Sequence, residues 1–311
     1  MKIKIVCLIL TCVAINFVCA QSLILHEWKV TVKVVDETGQ PIADAKTGVG
    51  YFSKSQPASI DGLTDTNGLF KASHFAYSGL LGFSAEKTGY YITRLPSYDL
   101  GFTYDPAKWN LSETIVLKKI GKPIPMYARK KEMKLQIEDQ PIGFDLVAGD
   151  WVTPNGIGKN ADMFFTVHRK IINEREYDCT LSVTFPNKGN GIVAAPSEAD
   201  AGSEFKTART AAKNGYEPEL DLHYSNTNQP KSVFGYFIRV QTKLDENGNV
   251  KSALYGKIRG GFRFYAGTKA PRAGMGFDYY LNPTPNDRNL EFDPKKNLSQ
   301  NLKLLEGVNE P

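Results

Sequence analysis

From Trp28 onward, apolar and polar residues alternate one by one. Trp28, Val30, Val32 and Val34 fall on one side of an extended chain, and Lys29, Thr31 and Lys33 on the other. A period of two marks a half-buried β-strand, because successive side chains point to opposite faces. The run stops at Asp36, Gly39 and Pro41: Asp can bond its own backbone, Gly accepts a positive φ, and Pro restarts an extended chain. Farther on, Asn67 and Gly68 predict a tight type I′ hairpin turn with two positive φ angles. Short aromatic and β-branched runs separated by turn residues recur at 163–169, 178–185, 232–242, 250–259, 262–265 and 276–280. Sustained apolar spacing near 3.6 residues is almost absent, so the pattern predicts an all-β chain. The exception is 197–213, rich in Ala and charged helix formers, which predicts a short helical insertion closed by Asn214 and Gly215.

The strand signal at 113–118 ends in a segment punctuated by Gly121, Pro123 and Pro125, which cannot continue a central strand. This divides the chain into a first β-sandwich over 27–118, a linker over 119–131, a second all-β domain (sandwich or jelly-roll-like) over 132–295, and a polar tail over 296–311.

The first of these regions carries a recognisable pattern. Val32, Val34, Asp36, Gly39, Pro41, Ile42, Ala45, Thr64, Asp65, Gly68 and Phe70, followed by the strand at 81–91, resemble the carboxypeptidase regulatory-like domain. The resemblance implies a prealbumin-like (transthyretin-like) β-sandwich over 27–118. It also implies an accessory module of exported and envelope proteins, used as spacer, binding module or folding aid. It implies no peptidase activity: a zinc carboxypeptidase needs a His-x-x-Glu ligand pair, and none of His26, His74, His168 or His223 has a Glu three residues on.

Targeting changes the picture. Lys2 and Lys4, an apolar run over 5–18, and Val18, Cys19 and Ala20 before Gln21 predict a secretory signal peptide (1–20) cleaved near Ala20. The apolar run is too short to span a bilayer comfortably, so no transmembrane anchor is expected after cleavage. The expected location is outside the cytoplasm: secreted, periplasmic or on the cell surface. Of the cysteines, Cys7, Cys12 and Cys19 leave with the signal, and Cys179 stays alone. No intramolecular disulfide is then possible. Cys179 shares an apolar face with Leu181, Val183 and Phe185 and reads as a buried small residue. The formal net charge of +5 includes Lys2 and Lys4 and is too small to suggest nucleic acid. Arg129, Lys130, Lys131 and Lys134 form a dense basic run, which reads as a solvated linker face.

For chemistry the sequence offers little. It contains no Gly-x-Ser-x-Gly elbow, no His-Glu-x-x-His motif and no phosphate loop, so no catalytic residues, metal ligands or cofactor are assigned. Residues 245–249 alternate oxygen ligands, but Gly248 falls fourth rather than sixth as a calcium loop requires, which reads as a hairpin. Asp61, Asp65 and Asn67 leave a similar loop open to calcium. Asp145, Asp150, Asp162, Glu217, Glu219 and Asp221 could supply the two carboxylates a glycosidase needs. Aromatic residues on the turn-rich loop at 98–109 make Tyr98, Tyr104 and Trp109 candidate ligand contacts. Trp151, in the glycine-rich string 149–158, joins them. Two functions follow: a non-catalytic exported interaction or envelope-associated protein whose partner is an extracellular glycan or another envelope protein, or an enzyme acting on extracellular polysaccharide through carboxylates of the C-terminal region.

Overall fold

The computed structural model describes residues 25–52, 57–102, 104–196 and 202–311. The predicted signal peptide and its cleavage site lie outside the described residues. The N-terminal half contains β1 (His26–Asp36), β2 (Lys46–Phe52), β3 (Ala58–Leu63), β4 (Leu69–Ala76), β5 (Leu80–Glu86), β6 (Thr93–Asp99), a single helical turn α1 (Pro106–Trp109) and β7 (Asn110–Leu117). These strands form a three-stranded sheet, β4-β1-β7, and a four-stranded one, β3-β2-β5-β6. The inward positions of β1 are those the alternation predicts: Trp28, Val30, Val32 and Val34 are buried with Val49, Leu81, Phe83 and Ile115 in one core.

The turn at Gly68 differs from the expected type I′. Among its central residues only Gly68 has a positive φ, of 73°. The Asp65 carboxylate accepts hydrogen bonds from the Asn67 and Leu69 amides (2.9 and 2.8 Å), which holds the turn right-handed and leaves one left-handed position.

The C-terminal half runs through β8 (Ile124–Lys134), β9 (Ile142–Asp145), β10 (Asp150–Trp151), β11 (Met163–Asn173), β12 (Glu176–Thr184), β13 (Gly191–Ala194), β14 (Glu219–Ser225), β15 (Gly235–Leu244), β16 (Val250–Tyr265), β17 (Gly274–Leu281) and β18 (Phe292–Asn297). A five-stranded sheet, β10-β9-β11-β12-β14, faces a six-stranded one, β13-β15-β16-β17-β8-β18. Their shared core is aromatic: Phe144, Trp151, Phe165, Phe262 and Phe277 meet at ring separations of 5.3–5.8 Å, edge-on or tilted. Cys179 is buried there, as expected. The outer face of the six-stranded sheet is also covered, because Ala211, Leu290, Phe292 and Val308 pack on Met126, Phe237 and Tyr280. Burial on both faces explains why β15 and β17 read as nearly continuous apolar runs.

Four expectations need correction. The expected linker, 119–131, runs into β8, a strand inside the six-stranded sheet. Its basic run is solvated only in part: Lys134 is exposed and Lys130 partly so, but Arg129 and Lys131 are 6% and 9% exposed and both pair with Glu306 of the C-terminal arm. That arm, expected as a polar tail, is packed down, with the Glu306 carbonyl accepting the Lys130 amide at 2.9 Å. Finally, of the predicted helical insertion 197–213, residues 197–201 lie outside the described residues, and 202–213 are irregular rather than helical, with isolated bridges at Ser203 and Thr210. Their backbone is claimed by tertiary partners: the Arg94 amide bonds Gly202 O, the Glu204 amide bonds Ile92 O, and the Leu290 amide bonds Arg209 O. Those bonds replace the internal ladder that a helix would need. The described residues place their helix at α1 instead, where Asp105 caps the Ala107 amide at 3.0 Å and Pro106 opens the turn.

Candidate functional site

The expected aromatic contacts do not converge. Trp109 is fully buried beside β1, with Tyr104 and His26 around it. Tyr104 is half exposed, but His26 stacks on its ring at 4.4 Å, so one face is already used. Tyr98 packs partly into the N-terminal core. Trp151 belongs to the other sandwich, T-shaped on Phe144 and Phe165. Trp109 and Trp151 therefore serve as core, because both rings lie on the inward side of the elements that carry them.

A different surface gathers binding features: the outer face of β3-β2-β5-β6. Cross-strand pairing puts Asp61, Gly48, Ser84 and Arg94 in one row, and Ser59, Gly50 and Gly82 in the next. Small residues make the floor, and longer side chains the walls. Three adjoining depressions of about 330, 120 and 380 Å³ share lining residues along this face and end at the Lys46–Glu86 ion pair. Phe52 stands at the other end, 57% exposed. A Cβ added at Gly50 or Gly82 would lie 3.1 or 2.9 Å from the Phe52 ring, so the ring lies across both glycines with its other side open. Asp61 leans over Gly48 in the same way, its Oδ1 2.5 Å from where a Cβ would stand. Glycine inside a strand marks such close approaches, and Gly48, Gly50 and Gly82 were the sequence signal that could have found this face.

The carboxylates considered for catalysis are held otherwise. Asp145 accepts four backbone N–H groups: Val147 and Ala148 on Oδ1, Lys159 and Asn160 on Oδ2, at 2.9–3.1 Å. Asp162 accepts the Leu146 amide and the Gln241 side-chain amide, at 2.9 and 3.0 Å. Burial outweighs these bonds and pushes the Asp162 carboxyl up to about 6. Asp150 accepts the Ile157 amide within its own loop. Glu219 and Asp221 stand exposed on β14. Asp145 is thus saturated by the loops it holds in place, and Asp162 ties the loop after β9 to β15. Likewise, Asp245 spends its Oδ1 on the Asn247 and Asn249 amides of its own turn. Among the described residues, no group of three or more His, Cys, Asp or Glu side chains is placed to hold a metal ion. No helix among them is long and apolar enough to cross a membrane.

A second concavity, of about 690 Å³, lies between β8, the loop after β9 and the C-terminal arm. Arg129 Nη1 and Lys131 Nζ donate to the two oxygens of Glu306 at 2.9 and 2.8 Å, and Arg129 Nη2 donates to Gln300 O at 2.6 Å. Burial alone would raise the Glu306 carboxyl; the Lys131 hydrogen bond and both cations hold it below the usual range.

No family model matches the chain, and no curated protein matches it. Among solved structures it is similar to a 3-chlorocatechol 1,2-dioxygenase from Rhodococcus opacus 1CP, at 17% identity and a TM-score of 0.23 over 30% of this chain and 60% of that one. The chain thus spans less than two thirds of that enzyme. A DUF3823 family protein from Parabacteroides merdae is similar at 8% identity and a TM-score of 0.22, over 86% of this chain and 98% of that one. BcpA, the major pilin subunit of Bacillus cereus, is similar at 13% identity and a TM-score of 0.24, over 75% and 95%. At these identities and TM-scores the similarities carry no argument about function.

Proposed function

We propose that this chain is an exported, non-catalytic interaction protein of the cell envelope, whose carboxypeptidase regulatory-like sandwich (27–118) binds an extracellular glycan on the outer face of its four-stranded sheet. The observation that carries the reading is the Phe52 ring laid over Gly50 and Gly82. A sugar ring presents an apolar face edged by hydroxyls. An open aromatic ring covers such a face, and Asp61, Ser84 and Arg94 along the adjoining row offer acceptors and donors to the hydroxyls. The floor is a formed sheet, so little ordering opposes binding. Export rests on the N-terminal sequence pattern, and the non-catalytic reading on the absence of a catalytic motif in the sequence and on the structural engagement of Asp145 by four backbone amides.

The test is a carbohydrate microarray of plant, algal and bacterial glycans, followed by titration of any hit. Phe52→Ala is expected to weaken binding about tenfold or more, as loss of an aromatic anchor does, and Gly82→Ala to weaken it by displacing the ring. An array without hits, or a Phe52→Ala protein that binds its glycan unchanged, would sink the proposal.

A further inference from the structure

We infer that the ligand of the sheet face is a linear, uncharged polysaccharide, bound lengthwise along β2 over several sugar rings. This rests on the glycan reading above and narrows it. The direction of the trough comes first. Lys46, Gly48, Gly50 and Phe52 share the outward side of β2, because Val49 and Tyr51 between them belong to the core. Gly82, Ser84 and Glu86 do the same on β5, between Leu81, Phe83 and Ala85. The depression at Phe52, Gly50 and Gly82 shares Gly48, Asp61, Ser84 and Arg94 with the next, and that one shares Lys46 and Glu86 with the third. Asp61 on β3 stands on one side of this line and Arg94 on β6 on the other. Residues Lys46 to Phe52 of an extended strand span about 20 Å. One sugar ring covers the Phe52 ring and leaves most of that length empty.

The second observation is what the middle of the trough offers. Asp61 Oδ2 accepts the Ser59 hydroxyl at 3.1 Å, whereas Oδ1 lies over Gly48 and has no hydrogen bond among the described residues. The Ser84 hydroxyl stands beside the same glycine, 3.1 Å from where its Cβ would be, and has none among them either. Asp61 is exposed and Ser84 half-buried, so both can be reached from outside. A carboxylate oxygen accepts and a hydroxyl both donates and accepts, which matches neighbouring hydroxyls on a sugar. Gly48 lies two residues before Gly50, about 7 Å along β2. The ring that meets Asp61 and Ser84 is therefore a different ring of the chain from the one stacked on Phe52.

The third observation concerns charge. Lys46 pairs with Glu86 at 3.1 Å, and Arg94 with Glu204 at 3.1 Å, so each cation of the middle section already holds a carboxylate. A sugar acid placed there would face the Asp61 carboxylate, and like charges in contact repel even in water. A hydroxyl meets the same group as a donor. The trough thus favours neutral chains over polymers of uronic acids.

Calorimetric titration of the full chain would use cello-, laminari-, manno- and xylo-oligosaccharides of one to six residues, with oligogalacturonates of the same lengths as the acidic counterpart. In at least one neutral series the affinity is expected to rise about tenfold or more from disaccharide to tetrasaccharide and then level off, since a trough of this length holds about four rings. Oligogalacturonate of equal length is expected to bind severalfold more weakly, and Asp61→Asn to narrow that gap. Ser84→Ile, on the outward side of β5, fills the middle of the trough without touching the core. It is expected to abolish the gain with length while leaving disaccharide binding at Phe52. Array hits confined to acidic polymers, no binding by any neutral series, a monosaccharide bound as tightly as its hexasaccharide, or a Ser84→Ile protein with unchanged length dependence would overturn the inference. Each of these leaves glycan binding itself to be judged by the array, where only a complete lack of hits removes both.

Discussion

Gly39, Gly68 and Gly248 each sit fourth in a five-residue turn that begins with an aspartate: Asp36, Asp65 and Asp245. In all three the aspartate Oδ1 accepts the amides two and four residues on, and the glycine has a φ of 73–83°. The bonds have an electrostatic consequence. The Thr38 hydroxyl and the Gln40 amide hold the Asp36 carboxyl below its usual range, and the Asn249 amide does the same for Asp245. The three turns differ in what surrounds the glycine. A Cβ at Gly39 would meet nothing within 4 Å, whereas at Gly68 it would stand 2.4 Å from Val34 O and 3.2 Å from the Ile42 amide. Gly39→Ala therefore pays only the left-handed backbone strain, about 1 kcal/mol. Gly68→Ala adds a collision with backbone of β1 and is expected to cost about 2–4 kcal/mol. Urea unfolding of the two variants measures the difference; equal costs would show that the turn can move away from β1.

At the scale of elements, legibility followed where the compensating partner lies in sequence. β1 could be read because its alternation is local and complete. β8 could not, because two of its inward positions are Arg129 and Lys131, and the Glu306 that makes their burial tolerable comes 175 residues after Lys131. The 202–213 segment misled for the same reason: Ala-rich composition favours a helix in isolation, while β6 and residues 288–290 take its backbone. In the candidate site, Trp109 and Trp151 are conspicuous in the sequence yet fill sheet cores, as large rings usually do, whereas the exposure of Phe52 depends on glycines of two different strands, Gly50 and Gly82. Asp162 shows a long-range tie whose strength can be measured. It joins the loop after β9 to Gln241 on β15, across the two sheets. Burial pushes its folded carboxyl up to about 6 from an ordinary 3.8. Between those values the native state holds a proton that the unfolded chain has released. Its contribution is thus fully present below about pH 4 and is lost by about pH 6 and above, amounting to about 3 kcal/mol. Asp162→Asn keeps both contacts if the Gln241 amide turns over, and removes the titration. The variant is expected to lose much less stability than the native chain between pH 4 and 7, followed as Tm. An unchanged difference across that range would mean that Asp162 is ionised in the folded state at all these pH values.

At the scale of the whole molecule, the two sandwiches meet at a joint built on Glu291. Its carboxylate accepts the Tyr91 hydroxyl (2.8 Å), the Gly121 and Lys122 amides (2.7 and 2.8 Å) and Arg209 Nη1 (2.8 Å). Arg209 in turn reaches Glu37 at the end of β1 and the Lys119 carbonyl. Burial, followed by the bond to Glu291, pushes the Tyr91 hydroxyl well above its usual range, so it stays a donor. Beside this hub, Phe205 stacks on Tyr91 at 5.2 Å with Arg209 5.1 Å from its ring, and Ser203 bridges to Thr93 on β6. Residues 202–213, a strap across the joint, thus extend the edge of the very sheet whose outer face carries Phe52. A joint in which one carboxylate accepts four donors should make the halves unfold together, because separating them breaks all four bonds at once. Glu291→Ala removes the acceptor of the buried Tyr91 hydroxyl and half of the Arg209 pairing, at an expected cost of about 1–3 kcal/mol. Calorimetry should therefore show one transition for the native chain and two for the variant, with the N-terminal and C-terminal sandwiches melting separately. Glycan binding at Phe52 should survive in that variant below its first transition, since the β2–β5 pairing does not pass through the joint. A single transition retained in Glu291→Ala with little loss of Tm would show that the halves are coupled through the strap at Ser203 rather than through the carboxylate.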